Sequence, residues 1–203
     1  MRIFVLGALG GLAITACTPT VTPVKSLSLV EGEITANAPA GYCVDPSASK
    51  PADGFAVMSS CASLGAGDRV PDVLGVATVQ VGPPDSGTVI GSEEALLTLL
   101  QSDAGAVLLS ADGSQDKIRV LEAVTGENTV TVHFSDEGEP PMAGLQGEEW
   151  RAFTDIDGRL VTVAVRGLAT APLRDGTGNW LLNLVVNGLL ATGGGAPDET
   201  STL

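Results

Sequence analysis

The fold of this chain is decided by the stretch Trp150-Arg151-Ala152-Phe153-Thr154-Asp155-Ile156-Asp157-Gly158-Arg159-Leu160-Val161-Thr162-Val163-Ala164-Val165-Arg166. Its two halves alternate between apolar and polar residues, and Asp157-Gly158 between them favours a type I′ turn, in which both central residues need positive φ. The stretch therefore predicts a β-hairpin in which Trp150 faces Val165. One face of this hairpin is a core face, and the other sets Glu149 opposite Arg166, a pair that supports the register by roughly 0.2–1 kcal/mol.

The sequence around the hairpin predicts a single α+β domain with a mostly antiparallel sheet and one or two packed helices. Further strands are predicted at 42–45, 55–60, 76–81, 106–110, 118–124 and 129–135. Ser92 is a good N-cap for a helix that ends near residue 102, and a second helix is predicted over 179–191. This order of strands, hairpin and closing helix is similar to the Mog1/PsbP-like α/β/α sandwich.

The predicted closing helix carries one narrow polar stripe, formed by Asn179, Asn183 and Asn187 at i+4 spacing. Two interpretations are open. The stripe is either the solvent-facing edge of a helix docked on the sheet, which is the interpretation we favour, or a recognition stripe for a partner.

The amino terminus has the pattern of an export signal. Arg2 precedes an uncharged apolar run of twelve residues, 3–14, whereas a helix needs roughly 20 to cross a bilayer. The sequence Ile14-Thr15-Ala16-Cys17 resembles the lipobox of bacterial lipoproteins. That resemblance implies that residues 1–16 are a signal peptide removed by cleavage, and that Cys17 is the lipid attachment site, which receives a diacylglycerol and an amino-terminal acyl chain such as palmitate. The alternative is an ordinary secretory peptide with an incidental cysteine.

Four segments follow from this interpretation. The signal peptide (1–16) precedes a lipidated flexible tether (17–28) with Pro19 and Pro23, a globular domain (29–192) and a glycine-rich tail (193–203) that is disordered by composition. We expect the mature protein to face the periplasm. Because Thr18 and not an aspartate follows Cys17, the resemblance to enterobacterial sorting favours the outer membrane over the inner membrane.

Charge narrows the possible partners of the chain. The full chain has 24 acidic and 10 basic residues and a formal charge of −14, and removal of Arg2 makes the mature charge −15. Nucleic acid is excluded as a partner because phosphate binding needs clustered Lys and Arg, and anionic headgroups would repel the chain. The predicted contact with a membrane is therefore the lipid anchor alone, and no cofactor, ligand or protein partner is indicated.

Cys43 and Cys61 remain once Cys17 is assigned to lipid. In an oxidising envelope compartment, an even pair predicts a disulfide, which here would stabilise the fold by roughly 3 kcal/mol in the chain-entropy model. Two buried free thiols or a redox site are the alternatives. No Cys-x-x-Cys spacing supports the redox site.

Catalytic and metal motifs are missing from the sequence, so we predict no catalytic residue and no metal ligand. His133, the sole histidine, lies in an alternating run and is expected on a strand face. Asp155-Ile156-Asp157-Gly158 resembles the middle of a calcium loop, but the alignment puts Phe153 at position one and Ala164 at position twelve, where the loop needs carboxylates.

Three short stretches, 41–46, 150–153 and 158–162, resemble alphaproteobacterial envelope proteins that carry no assigned activity. Our expectation is a membrane-anchored lipoprotein of the bacterial cell envelope that acts as a non-enzymatic binding or accessory module. The alternatives are a hydrolase whose site is assembled from scattered residues, with His133 as its base, and a calcium-stabilised envelope module.

Overall fold

The structure is a computed structural model that describes residues 22–67 and 69–192. In chain order its strands are β1 (Ser26–Leu29), β2 (Ile34–Asn37), β3 (Tyr42–Val44), β4 (Phe55–Ser60), β5 (Gly75–Val81), β6 (Ile118–Gly126), β7 (Thr129–Asp136), β8 (Glu148–Ile156), β9 (Arg159–Gly167) and β10 (Leu189–Ala191). The helices are α1 (Glu93–Leu100), α2 (Asp103–Leu109) and α3 (Asp175–Val186). Within these described ranges, no helix is both long and apolar enough to cross a bilayer. The predicted signal peptide, Cys17 and the predicted tail lie outside the described residues.

Seven strands form one antiparallel sheet in the order β3-β4-β5-β9-β8-β7-β6. The β8–β9 hairpin lies in its middle, with Trp150 opposite Val165 and Ile156 opposite Arg159. Asp157 has a φ of 51° and Gly158 a φ of 71°, so both turn residues are left-handed, as a type I′ turn requires. The predicted hairpin and its register are confirmed.

One face of the large sheet shares a core with α3 and with a small sheet of order β1-β2-β10. Alternate residues of β9 point into this core, together with the inner side of α3: Val161, Val163, Val165, Leu181, Leu182 and Val185. The helix lies very close to β8 at Gly178, where a Cβ would come within 2.3 Å of the Trp150 ring. A glycine at this position therefore sets the distance between α3 and the sheet.

The opposite face carries α1 and α2 over β6 and β7. A second, smaller core lies beneath them and contains Val89, Leu100, Leu109, Val130, Val132 and Phe134. With helices on both faces of one sheet, the predicted α+β single domain is confirmed. Farther along this face, Val76, Thr78 and Ala164 are only half-buried.

The predicted strand at 106–110 is wrong, because these residues belong to α2 and its end. The Ser102 hydroxyl accepts a hydrogen bond from the Gly105 amide at the start of this helix, at 3.3 Å. A Cβ at Gly105 would lie 2.1 Å from the Leu99 carbonyl oxygen, so α2 can pack against α1 only with glycine there. The short apolar run was ambiguous between strand and helix, and this contact with α1 decides for the helix.

The predicted helix over 179–191 has different bounds in the structure. It begins four residues earlier, at Asp175, ends at Val186, and is followed by β10. The chain turns at Gly188, where a Cβ would lie 2.4 Å from the Asn37 carbonyl oxygen. Asn179, Asn183 and Asn187 are all exposed, as expected for a solvent-facing edge.

The strands of the small sheet were not predicted from the sequence. Leu27 of β1 pairs with Ala36 of β2, and Leu189 of β10 pairs with the same residue from the other side. Strand β1 begins at Ser26, so it overlaps the last part of the segment predicted as a tether, 17–28.

Candidate functional site

The structure contains a disulfide between Cys43 and Cys61, with their Cα atoms 4.9 Å apart. Strands β3 and β4 are antiparallel neighbours, and Tyr42 faces Ser60. The bridge therefore ties the edge strand of the large sheet to the end of the next strand, which is the arrangement that the predicted pairing required. Lys25 also contacts this region, since its Nζ lies 3.1 Å from Cys61 Sγ.

Tyr42 holds the segment that follows the disulfide. Its hydroxyl donates a hydrogen bond of 2.8 Å to the Val73 carbonyl oxygen, and the residue is almost fully buried. Burial raises the pKa of Tyr42 to about 12 because the phenolate would lose its hydration. Cys61 is thus held by a covalent bond, and Val73 by a buried hydrogen bond.

Ala62, Ser63 and Val70, which lie between Cys61 and Val73 in the sequence, form one wall of a cleft of about 400 Å³. The cleft is lined by the apolar side chains of Ala62, Val70, Leu74, Val76 and Leu168 and by three serines, Ser59, Ser60 and Ser63. The serine hydroxyls bond to one another or to the main chain: Ser59 Oγ and Ser63 Oγ are 2.7 Å apart, and Ser63 Oγ donates to the Ser60 carbonyl at 2.8 Å. A cleft of this size with a mainly apolar lining is typical of small-molecule binding sites.

Val76 also borders a small hollow of about 50 Å³ over the buried ion pair that the hairpin predicted. Glu149 accepts hydrogen bonds from Arg151 Nε at 2.5 Å and from Arg166 Nε at 2.6 Å. Arg166 donates further to the carbonyl oxygens of Gln146 and Gly147. This cluster fastens the loop before β8 to the sheet, and every charge in it has a partner.

His133 is placed on the face of β7, as expected, and it is 5% exposed. Its ring stacks on Trp150 with a centroid distance of 4.1 Å, and its Nε2 lies 3.2 Å from Glu148 Oε2. Glu148 lines a second cleft of about 330 Å³, together with Gln146 and Leu173, whereas His133 does not line it. His133 therefore contacts Glu148 from a buried position, outside the lining of this cleft.

The acidic motifs that could suggest calcium have local structural roles. The Asp155 carboxylate accepts hydrogen bonds from the amides of Thr88, Val89 and Ile90, at 3.1, 2.7 and 3.0 Å. Hydrogen bonds from Lys117, Ser114 and Ser110 hold the pKa of Asp112 well below its usual range. Among residues 22–67 and 69–192, no group of three or more His, Cys, Asp or Glu side chains could hold a metal ion.

Sequence analysis did not find the 400 Å³ cleft. Eight of its nine lining residues lie within 59–76, at the end of β4, at the start of β5 and between these strands, and the ninth, Leu168, follows β9. The sequence signal that points toward it is the cysteine pair, because Cys61 directly precedes two of the lining residues.

No family model and no curated protein matches the sequence. Among solved structures, the chain is similar to the Ran-binding protein Mog1p of Saccharomyces cerevisiae, with a TM-score of 0.50 and 14% identity over 82% of this chain and 94% of that chain. A point variant of Mog1 matches with a TM-score of 0.50 and 13% identity, over 82% and 95% of the two chains. Cyanobacterial PsbP from Synechocystis gives a TM-score of 0.40 at 16% identity, over 92% and 98%.

These similarities define the class of fold. Helices on both faces of a mostly antiparallel sheet, together with the match to the two Mog1 structures over most of their length, confirm the predicted Mog1/PsbP-like sandwich. At 13% and 14% identity, the likeness concerns the fold alone.

Proposed function

We propose that this chain is a lipid-anchored protein of the bacterial cell envelope whose domain binds an apolar ligand without chemical turnover. The observation that carries the binding function is the 400 Å³ cleft, whose wall is fixed by the Cys43–Cys61 bridge and by the Tyr42–Val73 hydrogen bond. Ala62 and Ser63 directly follow the bridge, so this part of the wall has little freedom to lose when a ligand enters, and such pre-organisation favours affinity.

The proposed anchor is supported by the lipobox resemblance at Ile14-Thr15-Ala16-Cys17. Eight residues separate Cys17 from β1, which begins at Ser26. A fully extended chain spans about 3.3–3.6 Å per residue, so the domain would lie within roughly 30 Å of the lipid surface. A ligand of the cleft would therefore be an apolar molecule that is met close to a membrane.

The anchor is tested with Cys17→Ser in the producing bacterium. Labelled palmitate should enter the unaltered chain and not the variant, and the variant should leave the membrane fraction or stay unprocessed. Equal labelling of the two would contradict the lipid anchor. Density-gradient fractionation should place the unaltered chain with outer membranes, and recovery wholly with inner membranes would contradict that location.

The cleft is tested with the neutral dye N-phenyl-1-naphthylamine, whose fluorescence rises in apolar surroundings. Ala62→Phe fills the cleft and should weaken dye binding at least tenfold. Ala52→Phe is the matched control, since Ala52 lines a different cleft of about 390 Å³ beside the start of β4. Equal loss of binding in both variants would contradict the assignment of the ligand to this cleft.

The alternative functions give opposite outcomes. Turnover of an ester, peptide or glycoside substrate that disappears in His133→Ala would contradict a binding function and favour a hydrolase. A rise in melting temperature with millimolar calcium, by mass action on the folded state, would favour the calcium-stabilised module instead.

A further inference from the structure

Exposed apolar side chains are concentrated around the two helices on the second face of the sheet. Of the ten large hydrophobic residues exposed in the described part of the chain, four lie between residues 90 and 109. Their exposed fractions are 59% for Ile90, 39% for Leu99, 42% for Val107 and 62% for Leu108. Scattered exposed hydrophobic residues are ordinary, but a contiguous group of them is typical of an interaction surface.

The two helices adjoin each other, and each has an exposed apolar side. In α2, Gly105, Ala106 and Leu109 are buried, so Ala104, Val107 and Leu108 share the outer side at i+3 and i+4 spacing. In α1, Ala95 and Leu99 are exposed one turn apart. The helices touch where Gly105 meets the Leu99 carbonyl, which sets Leu99 beside α2. We define the α1–α2 surface as Ala95, Leu99, Ala104, Val107 and Leu108.

The two helices of this surface carry acidic residues and no basic residue. From residue 70 to residue 116 the chain has seven carboxylates and no Lys, Arg or His. Three of the carboxylates, Glu93, Glu94 and Asp103, belong to the first turns of α1 and α2, and Glu94 accepts a hydrogen bond from the Thr125 hydroxyl. Arg151, which donates to the Leu108 and Leu109 carbonyl oxygens, is paired with Glu149, and Lys117, which follows α2, is paired with Asp112.

We propose that the α1–α2 surface docks a cationic amphipathic segment of a protein partner, with apolar residues that cover Leu99 and Leu108 and with Lys or Arg side chains beside Glu93, Glu94 and Asp103. Charge complementarity selects this occupant. A second copy of the chain would bring a like charge of −14, and an anionic membrane surface would be repelled for the same reason.

The probe for this proposal is an 18-residue helical peptide in which Leu and Lys follow a heptad pattern. Two matched peptides replace every Lys by Glu, or every Leu by Ser. The protein is the full chain with Cys17→Ser, so that no acyl chain competes for the peptide. We expect the Leu/Lys peptide to bind, with an affinity that falls at least fivefold between 50 and 300 mM NaCl as the charges are screened. Binding of the Leu/Glu peptide with equal affinity would overturn the proposal.

The variants locate the binding surface. Leu99→Ser with Leu108→Ser should raise the Kd at least tenfold, and Glu93→Gln with Glu94→Gln should raise it about threefold. Trp180→Ser with Leu190→Ser is the matched control, because these residues are 51% and 56% exposed and belong to α3 and β10. An equal loss of affinity in this control would overturn the proposal.

Hydrogen exchange tests the same proposal on the chain without surface substitutions, so the result does not depend on whether a variant folds. Bound Leu/Lys peptide should slow hydrogen exchange at amides within residues 90–109, and protection confined to other segments would overturn the proposal. If sedimentation shows a dimer that dissociates in the Leu99→Ser, Leu108→Ser variant, the occupant is a second copy of the chain. That result would also overturn the proposal. If the chain binds phosphatidylglycerol vesicles and the same variant abolishes this binding, the occupant is a membrane, and the proposal is overturned.

Discussion

Glu149 is a buried carboxylate held between two guanidinium groups. The side chains of Glu149 and Arg166 are 4% and 5% exposed, so both charges have left water. Their mutual attraction offsets the cost of that transfer, and removing one partner leaves the other charge buried and unpaired. The hairpin pattern predicted that these two residues face each other, and the structure adds that they do so in the interior.

We expect Glu149→Ala to lower the free energy of unfolding by about 3–5 kcal/mol, the range for breaking a buried ion pair. Urea denaturation measures this change. Glu137→Ala is the control, because the Glu137–Arg119 pair is 69% and 73% exposed at 3.5 Å, and exposed pairs contribute about 0–1 kcal/mol. Equal destabilisation by the two substitutions would show that burial does not determine the cost.

Tyr42 makes stability depend on alkaline pH. Its pKa of about 12 in the folded chain lies above the ordinary tyrosine value of 10.0, so between these values the unfolded chain has lost a proton that the folded chain retains. The contribution of the protonated Tyr42 to the free energy of unfolding is therefore fully present below pH 10, and it is lost as pH rises toward 12. Tyr42 is the sole tyrosine of the chain, so phenolate absorbance reports its ionisation alone.

In spectrophotometric titration, we expect Tyr42 to ionise near pH 12 in the native chain and near pH 10 in urea, where burial is lost. In Tyr42→Phe, the free energy of unfolding should depend less on pH over this range. The substitution also removes the hydrogen bond to the Val73 carbonyl oxygen. An ionisation midpoint near 10 in a chain that is still folded would contradict the burial of the phenol.

At the scale of elements, sequence analysis predicted best where the local pattern and the tertiary environment agree. The β8–β9 register follows from the Asp157-Gly158 turn, which needs no information from distant residues. The segment 106–110 was predicted incorrectly as a strand because its apolar run fits either a strand or the buried side of a helix. The close contact of Gly105 in α2 with Leu99 in α1 favours the helix. Gly188 ended α3 through a contact with Asn37, about 150 residues away along the chain.

The same distinction holds for the candidate site. The Cys43–Cys61 pair could be predicted because two cysteines remained after the lipobox cysteine was assigned. The cleft beside it could not, because Leu168 joins the cleft only through the order of strands in the sheet, in which β9 lies beside β5. No alternation or spacing in a single segment encodes that order.

Two glycines of α3 should respond in opposite ways to alanine. Gly178→Ala would place a Cβ 2.3 Å from the Trp150 ring, and overpacking of this kind costs about 1–3 kcal/mol. At Gly176 no atom lies within 4 Å of the added Cβ, so Gly176→Ala should stabilise the chain by about 0.4–1 kcal/mol through helix propensity. Calorimetric melting temperatures should fall for the first substitution and rise for the second. Equal melting temperatures would show that α3 does not rest on Trp150.

Across the described part of the molecule, carboxylates outnumber the basic residues that pair with them. Lys117, Arg119, Arg151, Arg159 and Arg166 all form ion pairs with acidic side chains. The remaining carboxylates keep the chain soluble and hinder binding to anionic lipid. Attachment to a membrane would then depend on the proposed acyl chains, and a cationic partner would be attracted to the acidic α1–α2 surface.

The small sheet joins the two ends of the described chain, since β10 pairs with β2 and β2 pairs with β1. Leu189 of β10 is 7% exposed in the larger core, and the Thr192 amide donates to the Glu33 carbonyl at 2.7 Å. Removing residues 189–203 should therefore lower the free energy of unfolding by at least about 2–4 kcal/mol, from one buried leucine at roughly 1.5–3 kcal/mol and several hydrogen bonds at about 0.5–1.5 each.

The same truncation leaves one side of β2 unpaired, and an open strand edge promotes self-association, which sedimentation would detect. The control is a chain that ends after Thr192, which retains β10 and its contacts and lacks the tail predicted to be disordered. This control should unfold within about 0.5 kcal/mol of the full chain, as expected for changes away from packed structure. If the two truncated chains unfold at the same urea concentration, β10 does not join the ends of the domain, and the stability of the larger core must come from α3 and the seven-stranded sheet alone.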